Sequence, residues 1–282
     1  MVKNSFKFYF LVPLIGIACF AGACRVDLLG FFGSTDLSKR LDEKDNFTFL
    51  DRYNALPRNW GDEYSFIVLA DVHIEDGDAW GLEKLKDVVD NNHDIRFVAI
   101  AGDITQNASV QDLNKFIEIA DDLALSGVPC YPVIGNHDIY FGNWSSWRDL
   151  IGSSLYRIDS DDGNTTLLIM DSANAYFGKD QLDWLEKQLN SAGNRTFVFT
   201  HANPFIKSPL ELQQFTDTTE RARFMSLLKG RCDYMFTGHV HERVIEEAGG
   251  VKYITVEDFI KKQVYCLVSV KPDGIAYEFR KL

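Results

Sequence analysis

Two histidines near the C-terminal end of the chain, His239 and His241, are separated by one residue in the stretch "YMFTGHVHE". Residues i and i+2 of an extended segment point to the same side, so both imidazoles can face one target. Neutral imidazole is the commonest metal ligand among protein side chains. Taken alone, the pair is equally compatible with two solvent-exposed histidines in a turn. The rest of the sequence has to decide between these interpretations.

Five apolar runs in the chain are each followed by residue types that bind metal ions. The transitions are from "SFIVLA" to "DVH", from "IRFVAIA" to "GD", from "CYPVIG" to "NHD", from "RTFVFT" to a histidine, and from "DYMF" to "TGHVH". The candidate site residues after these runs are Asp71, His73, Asp103, Asn136, His137, Asp138, His201, His239 and His241. Each residue has a structural explanation when taken alone, such as capping a turn. Those explanations do not account for the occurrence of such residues after every run.

The chemistry of this set favours a pair of metal ions. Nitrogen and oxygen ligands without thiolate suit Mn, Fe or Zn, and they exclude a structural thiolate zinc site. The set is too large for one ion but sufficient for two divalent or trivalent ions that share a carboxylate, and Asp103, which follows Gly102, is the predicted bridge. Paired ions about 3.5–4 Å apart clamp the attacking and leaving oxygens of a displacement at phosphorus. The pattern therefore predicts hydrolysis of a phosphate ester by a hydroxide that bridges the ions.

The apolar runs are short, rich in β-branched and aromatic residues, and bounded by polar turns, which predicts strands. Helical patterns lie between them at residues 81–91, 109–125, 179–190 and 218–228. This alternation predicts an α/β fold with largely parallel strands, whereas the C-terminal stretches read as strand–turn–strand hairpins. Ligands of open α/β sheets bind beyond the carboxyl ends of the strands. The predicted elements thus bring the candidate residues to one place.

The motifs "DVH", "GD", "GNHD", a lone histidine and "GHVH", in this order, resemble the calcineurin-like metallophosphoesterase superfamily over about residues 64–282. The resemblance implies a four-layer α-β-β-α sandwich of two mixed β-sheets flanked by helices. It implies that one ion is held by Asp71, His73, Asp103 and His241, and the other by Asp103, Asn136, His201 and His239. It also implies that His137 contacts the phosphate and assists the leaving group, with Asp138 orienting its ring.

The sequence departs from the usual pattern of the superfamily at a few positions. Gln106 stands where many members have an acidic residue, and Asn203 replaces the first proline usual after the lone histidine. His73 is present and no tyrosine follows Asp103, which disfavours the purple acid phosphatase branch. The aromatic residues in "IYFGNWSSW" either line a substrate pocket or pack their loop onto the body, and we favour packing.

The amino terminus has the pattern of an export signal. Lys3 and Lys7 precede an apolar stretch at residues 8–23, and the small residues "AGA" stand before Cys24. The stretch is shorter than the roughly 20 residues that cross a bilayer as a helix. The site resembles a bacterial lipobox, although Ala21 stands where leucine is usual.

We therefore expect a signal peptide at residues 1–23, a lipidated tether or N-terminal extension at 24–63 and a catalytic domain at 64–282. The predicted location is the bacterial cell envelope, with the protein anchored to the membrane as a lipoprotein through Cys24. An uncleaved signal anchor and ordinary secretion are the alternatives.

Composition limits the partners of this 282-residue chain, whose net charge is −12. Removal of residues 1–23 takes away two lysines and no acidic residue, which leaves 27 basic and 41 acidic residues and a net charge of −14. An acidic body disfavours long nucleic acids, whereas bound cations still allow a small phosphorylated substrate. Three widely spaced cysteines remain beyond Cys24, and we predict that Cys130, Cys232 and Cys266 are buried free thiols.

The leading interpretation is an enzyme that cleaves a phosphomonoester or phosphodiester. The alternatives are a nuclease or nucleotide pyrophosphatase, and a non-catalytic surface protein that binds a phosphorylated ligand through its metal ions. The intact His137-Asp138 pair favours an enzyme, since a binding protein has no need of a leaving-group acid.

The lipobox interpretation predicts that Cys24→Ala moves the protein out of the membrane fraction or stalls its processing, because the lipid is attached to this thiol. Cell fractionation combined with the mass of the processed chain measures both effects. Unchanged fractionation with a retained N-terminal segment would instead indicate a signal anchor.

Overall fold

Two β-sheets, each with parallel and antiparallel pairs of strands, form the centre of the molecule in a computed structural model that describes residues 36–205, 215 and 217–282. The strands are β1 (Tyr64–Leu69), β2 (Ile95–Ala101), β3 (Cys130–Val133), β4 (Tyr156–Asp159), β5 (Thr165–Ile169), β6 (Arg195–Phe199), β7 (Tyr234–Thr237), β8 (Val244–Ala248), β9 (Val251–Thr255), β10 (Val264–Lys271) and β11 (Gly274–Lys281). The first sheet has the order β11-β10-β1-β2-β3 and the second β4-β5-β6-β7-β9-β8.

In each sheet the parallel strands stand together and the antiparallel strands lie towards the edges. Strands β1, β2 and β3 pair in parallel in the first sheet, as do β5, β6, β7 and β9 in the second. The two C-terminal hairpins, β8–β9 and β10–β11, are antiparallel as the sequence predicts. The carboxyl ends of β1, β2 and β3 therefore share one edge of the first sheet, and those of β6 and β7 share one edge of the second.

The two sheets pack face to face through aromatic side chains. Phe66 of β1 lies with its ring centroid 4.9 Å from that of Phe197 in β6 and 5.8 Å from that of Phe236 in β7. All three side chains are fully buried. Because these strands are covered on both faces, their sequences are continuous apolar runs rather than alternating patterns.

Helices cover the outer faces of the sheets. They are α1 (Leu37–Leu41), α2 (Leu85–Asp90), α3 (Val110–Leu125), α4 (Trp144–Leu150), α5 (Gly178–Leu189), α6 (Thr218–Leu228) and α7 (Phe259–Lys262), with short 3-10 helices at Leu50–Tyr53, Leu82–Lys84 and His137–Gly142. Ser109 is the N-cap of helix α3, and its hydroxyl accepts a hydrogen bond from the Asp112 N–H. It buries Leu113 and Phe116 in the larger hydrophobic core. The predicted fold of two mixed sheets flanked by helices is confirmed.

The three cysteines beyond the N-terminal region are buried free thiols, which confirms the prediction for Cys130, Cys232 and Cys266. Burial raises the pKa of Cys266 to about 12. Across the part of the chain that the structure describes, no helix has the length and apolar character to cross a membrane. Residues 1–23 and Cys24 lie outside the described residues.

Residues 36–63 pack against both halves of the body. Phe49 and Trp60 lie in the larger hydrophobic core, where their rings contact Phe116 and Phe97. Helix α1 contributes a fully buried Arg40. The part of the N-terminal extension that the structure describes thus belongs to the folded body.

Arg40 forms a buried bidentate ion pair with Asp171, which follows β5. The Arg40 Nε lies 2.7 Å from Asp171 Oδ2, and Nη2 lies 2.8 Å from Asp171 Oδ1. The same Nη2 donates to the Asn174 side chain. The residue after Asp171 is Ser172, whose hydroxyl accepts hydrogen bonds from the N–H groups of His201 and Ala202. Helix α1 is therefore connected to the strand end that presents His201.

We predict that Arg40→Met lowers the free energy of unfolding by about 3–5 kcal/mol, because it leaves the buried Asp171 carboxylate without its partner. Urea unfolding measures the change. The exposed Arg52–Asp121 ion pair, with an N–O distance of 2.7 Å, is the matched control. Arg52→Ala should cost under about 1 kcal/mol. Equal losses for the two variants would contradict this account.

Candidate metal centre

All the residues predicted for the site converge where the ends of the two sheets meet. Strands β1, β2 and β3 present residues from the first sheet, whereas β6 and β7 present residues from the second. Ring centroids are 4.6 Å apart for His73 and His137, 5.6 Å for His73 and His241, and 5.0 Å for His201 and His239. The sixth histidine, His93, is exposed elsewhere on the molecule.

The backbone turns sharply at several of these positions. The residues with positive φ are Asp71 (54°), His73 (50°), Asp103 (50°), His239 (73°) and His241 (56°). The left-handed region costs roughly 1–2 kcal/mol for each residue that has a Cβ. Strain of this kind concentrates at functional sites, where the surrounding fold enforces it. Here it directs side chains from separate strands towards one point.

Two glycines permit the close approach of the ligand loops. A Cβ on Gly135 would lie 2.2 Å from both the backbone nitrogen and Oδ1 of Asp103. A Cβ on Gly102, whose φ is +89°, would lie 2.2 Å from Nδ1 of His201. The glycines of the "GD" and "GNHD" motifs are therefore required by packing between neighbouring loops.

One group of ligand atoms belongs to Asp71, His73 and His241, and these atoms lie within 4.8 Å of one another. The Nε2 atom of His241 is 3.3 Å from Asp71 Oδ1. The Asp71 carboxylate is fully buried and also accepts a hydrogen bond from the His239 N–H. These residues are three of the four predicted for the first ion.

A second group consists of Asp103, His201 and His239, again within 4.8 Å. The Nε2 atom of His201 lies 3.3 Å from Asp103 Oδ2 and 3.0 Å from Asn136 Oδ1. The same Asp103 Oδ2 is 3.7 Å from Nε2 of His73, which belongs to the first group. Asp103 thus stands between the two groups, where a shared carboxylate is expected.

The buried carboxylates and imidazoles of the site each shift the pKa of their neighbours. Burial acts to raise the pKa of Asp103, but the positive charges of His201, His137 and His73 outweigh it and hold the pKa well below its usual range. Burial acts to lower the pKa of His201, but the adjacent Asp103 raises it to about 9. The two buried carboxylates therefore need neighbouring positive charge, from protons or from metal ions.

The donor set fits a dinuclear centre. The donors are buried carboxylate oxygens, imidazole nitrogens and one amide oxygen, the combination suited to Mn, Fe or Zn. Metal ions bind the neutral form of histidine. They would replace the protons that otherwise balance Asp71 and Asp103. Metal binding and protonation are therefore in competition at this site.

The contacts of His137 differ from the expected ones. We expected Asp138 to orient the His137 ring, but the ring Nδ1 lies 3.0 Å from the backbone carbonyl of Gln106. The His137 N–H donates to Asp103 Oδ1 at 2.9 Å. The ring also has a ligand atom within 4.8 Å of those of His73 and Asp103. His137 is thus oriented by a main-chain carbonyl and lies beside both candidate ion positions.

Asp138 holds the ligand loops together instead. Its buried carboxylate accepts hydrogen bonds from the N–H groups of Gly135, Ile104 and Thr105 and from the Thr105 hydroxyl. Burial, together with the nearby charge of Asp103, raises the pKa of Asp138 to about 6. Asp138 does not orient the His137 ring as expected, because three backbone amides converge on its carboxylate and it faces the loops.

The sequence did not reveal the role of Tyr140. Its hydroxyl accepts a hydrogen bond from the Asn136 side-chain amide at 2.9 Å, which leaves Asn136 Oδ1 facing His201. Tyr140, Trp144 and Trp147 are buried, which confirms the packing interpretation for these aromatics, whereas Phe141 is 46% exposed. The four-residue spacing from Asn136 to Tyr140 is the sequence signal that could have suggested the contact.

Comparison with known proteins agrees with this geometry. The family model for calcineurin-like phosphoesterases matches residues 64–243. The chain belongs to this family. A protein of Fibrobacter succinogenes named as a probable cyclic nucleotide phosphodiesterase is 24% identical over 233 residues, which cover 72% of this chain and 85% of that protein.

Solved structures of similar fold include a dimetal phosphatase from Danio rerio and a purple acid phosphatase from yellow lupin seeds. The first has a TM-score of 0.59 at 15% identity and covers 77% of this chain and 96% of its own. The second has a TM-score of 0.62 at 15% identity and covers 80% of this chain and 52% of its own. At these identities the structures show the fold. Membership of the family makes the chain a metal-dependent hydrolase of phosphate esters.

If Asp103 is shared by two ions, Asp103→Ala should lose both ions and nearly all activity while the fold persists, because each ion loses a charged ligand. Metal analysis and circular dichroism measure the two properties. Asp112→Ala removes a buried carboxylate in the first turn of helix α3, outside the site, which accepts hydrogen bonds from the Ser109 hydroxyl and the Gly77 N–H, and it should keep both ions. Retention of two ions by Asp103→Ala would refute the shared position.

Proposed function

We propose that this protein hydrolyses a small phosphate monoester or diester at a centre of two metal ions joined by Asp103. The observation that supports the proposal best is the position of Asp103 Oδ2, which lies 3.7 Å from Nε2 of His73 and 3.3 Å from Nε2 of His201. Asp71 and His241 complete the surroundings of one position, and Asn136 and His239 those of the other.

When bound, two such ions supply Lewis-acid activation of water and neutralise charge on the phosphate oxygens. The residues of the chain set the arrangement around them. Asp138 fixes the turns that present Asp103 and Asn136 through hydrogen bonds to their neighbouring backbone amides. Tyr140 fixes the Asn136 amide so that its oxygen is directed to the ligand cluster. The side chains around the proposed phosphate position are therefore already oriented and need not reorganise during the reaction.

His137 is the proposed acid for the leaving group. The Nδ1–H group of the neutral ring can donate a hydrogen bond to the Gln106 carbonyl at 3.0 Å, and Nε2 is then the unprotonated nitrogen. The protonated ring keeps this hydrogen bond and offers the second proton, at Nε2, to the departing oxygen. The main-chain contact therefore fixes the ring orientation in both protonation states.

Small nucleotide esters are the substrate class that we favour for the first assays. The Fibrobacter succinogenes relative is named as a probable cyclic nucleotide phosphodiesterase, and a cyclic nucleotide is a diester of the proposed size. The acidic body, with a net charge of −12 for the whole chain, supports small esters over long nucleic acids. Nuclease or nucleotide pyrophosphatase activity is the second candidate.

We further propose that the protein acts outside the cytoplasm, held at the membrane by a lipid on Cys24. The basic start, the apolar stretch and the small residues before Cys24 support this location. The fractionation of Cys24→Ala described above tests it.

The proposed reaction predicts that the Mn²⁺-loaded protein cleaves a nitrophenyl phosphomonoester, a bis-nitrophenyl phosphodiester or a cyclic nucleotide. Chelation should abolish turnover, and Mn²⁺ should restore it.

The variant His137→Gln should keep both ions but slow the hydrolysis of an alkyl ester by about 10²–10⁴-fold, the usual contribution of general acid catalysis. The defect should shrink for a nitrophenyl ester, whose leaving group needs little proton assistance.

His93→Gln, at an exposed histidine outside the site, is the matched control and should leave turnover unchanged. Equal defects of His137→Gln on both esters would show that the ring positions the phosphate rather than donating a proton. Loss of an ion would make His137 a ligand. If the Mn²⁺-loaded wild-type protein hydrolysed none of these esters, the proposed function would be refuted.

A further inference from the structure

Asp258 is a buried carboxylate outside the motifs that define the family. It stands at the N-cap position of helix α7 and is 1% exposed, yet its side chain makes no capping hydrogen bond to that helix. Its Oδ2 accepts no hydrogen bond from any residue that the structure describes. Leaving a buried acceptor unsatisfied destabilises the folded state, and a charged acceptor does so more strongly. Such a position calls for a functional explanation.

The unsatisfied oxygen faces the ring of His241. Asp258 Oδ2 lies 3.9 Å from Nδ1 of His241, and the Nε2 atom on the other side of the same ring lies 3.3 Å from Asp71 Oδ1. The imidazole thus stands between two carboxylates, one in the proposed metal cluster and one behind it. Since Nε2 faces the cluster, Nδ1 is the nitrogen left to carry the proton.

The surroundings fix Asp258 relative to this ring. The N–H groups of Phe259 and Ile260 donate to the carbonyls of Ala70 and Asp71, so helix α7 is joined to the strand end that presents Asp71. The Nζ atom of Lys262 donates to the His241 carbonyl at 2.9 Å and lies 3.5 Å from Asp258 Oδ1. Asp258 Oδ1 is therefore paired with Lys262, whereas Oδ2 lies 3.9 Å from Nδ1 of His241 and 4.0 Å from Nζ of the half-exposed Lys261.

We propose that Asp258 is a positioning residue, whose Oδ2 accepts the Nδ1 proton of His241 and thereby holds Nε2 deprotonated and aimed at the metal ion beside Asp71. The proposal rests on the metal centre of the proposed function. The separation of 3.9 Å exceeds a hydrogen bond, so the proposed contact requires the ring or the carboxylate to rotate when the metal ion binds. Carboxylates behind ligating histidines fix the tautomer and raise the basicity of the ligand.

Metal binding in the absence of substrate tests this role. Apoprotein is titrated with Mn²⁺ in competition with a chromophoric chelator, which yields the affinity of each of the two sites. Asp258→Ala should weaken one site by about 10–100-fold, the usual effect of removing such a partner, and leave the other nearly unchanged. Asp258→Asn, whose amide oxygen still accepts a hydrogen bond, should show a smaller loss.

Two variants separate positioning from a general effect of charge or packing. Glu257→Gln removes the adjacent carboxylate, which pairs with Arg243 at 3.0 Å rather than with a histidine, and should leave both affinities unchanged. Lys262→Met removes the nearer of the two lysine partners of Asp258 but keeps the carboxylate behind His241. It should lower thermal stability more than it lowers metal affinity.

The outcomes distinguish this proposal from the proposed function. If Asp258→Ala and Asp258→Asn both keep wild-type affinities at the two sites, the positioning role is refuted, whatever their thermal stability. If the wild type binds two ions but hydrolyses none of the esters, the proposed function fails while the affinity comparison still decides the role of Asp258. If the wild type binds no metal, the centre and the role of Asp258 are both wrong.

Discussion

The structure depends on one buried carboxylate placed at the junction of two β-sheets. Asp103 follows a strand of the first sheet, yet its Oδ2 lies beside His201 from the second sheet and His73 from its own. Charge buried this deeply must be balanced locally. The face-to-face packing of the sheets through Phe66 is what brings histidines from both within range of the same oxygen.

The arrangement around Asp103 is maintained against local preferences of the backbone. Several of the proposed ligands adopt left-handed conformations that residues with a Cβ rarely take, and Gly135 packs directly against Asp103. The hydrogen bonds that Asp138 accepts from Gly135, Ile104 and Thr105 hold the two turns in register. The free energy needed to maintain the site therefore comes from the surrounding fold, including the large apolar core between the sheets.

Elements and residues that follow a repeated sequence pattern could be predicted from the sequence, whereas contacts made across the fold could not. The helical periodicity of residues 109–125 and 218–228 anticipated α3 and α6 within one residue. The motif residues were found because each follows an apolar run. The strands β4 and β5 and the helix α4 were not anticipated, since they lie outside those motifs. The roles of Gln106 and Asp258 could not be predicted, because a main-chain carbonyl has no side-chain signature and Asp258 approaches His241 from a distant segment.

If Cys24 carries a lipid as proposed, the buried Arg40–Asp171 pair would limit how far the enzyme could lie from the membrane surface. Because this pair fixes helix α1 to the body, only the chain from Cys24 to Asp36, twelve residues further along, would separate the lipid from the helix. A fully extended chain covers at most about 3.3–3.6 Å per residue, so the upper limit of this separation would be about 40 Å. A lipid-anchored enzyme would then sample only substrates that diffuse within one or two protein diameters of the bilayer.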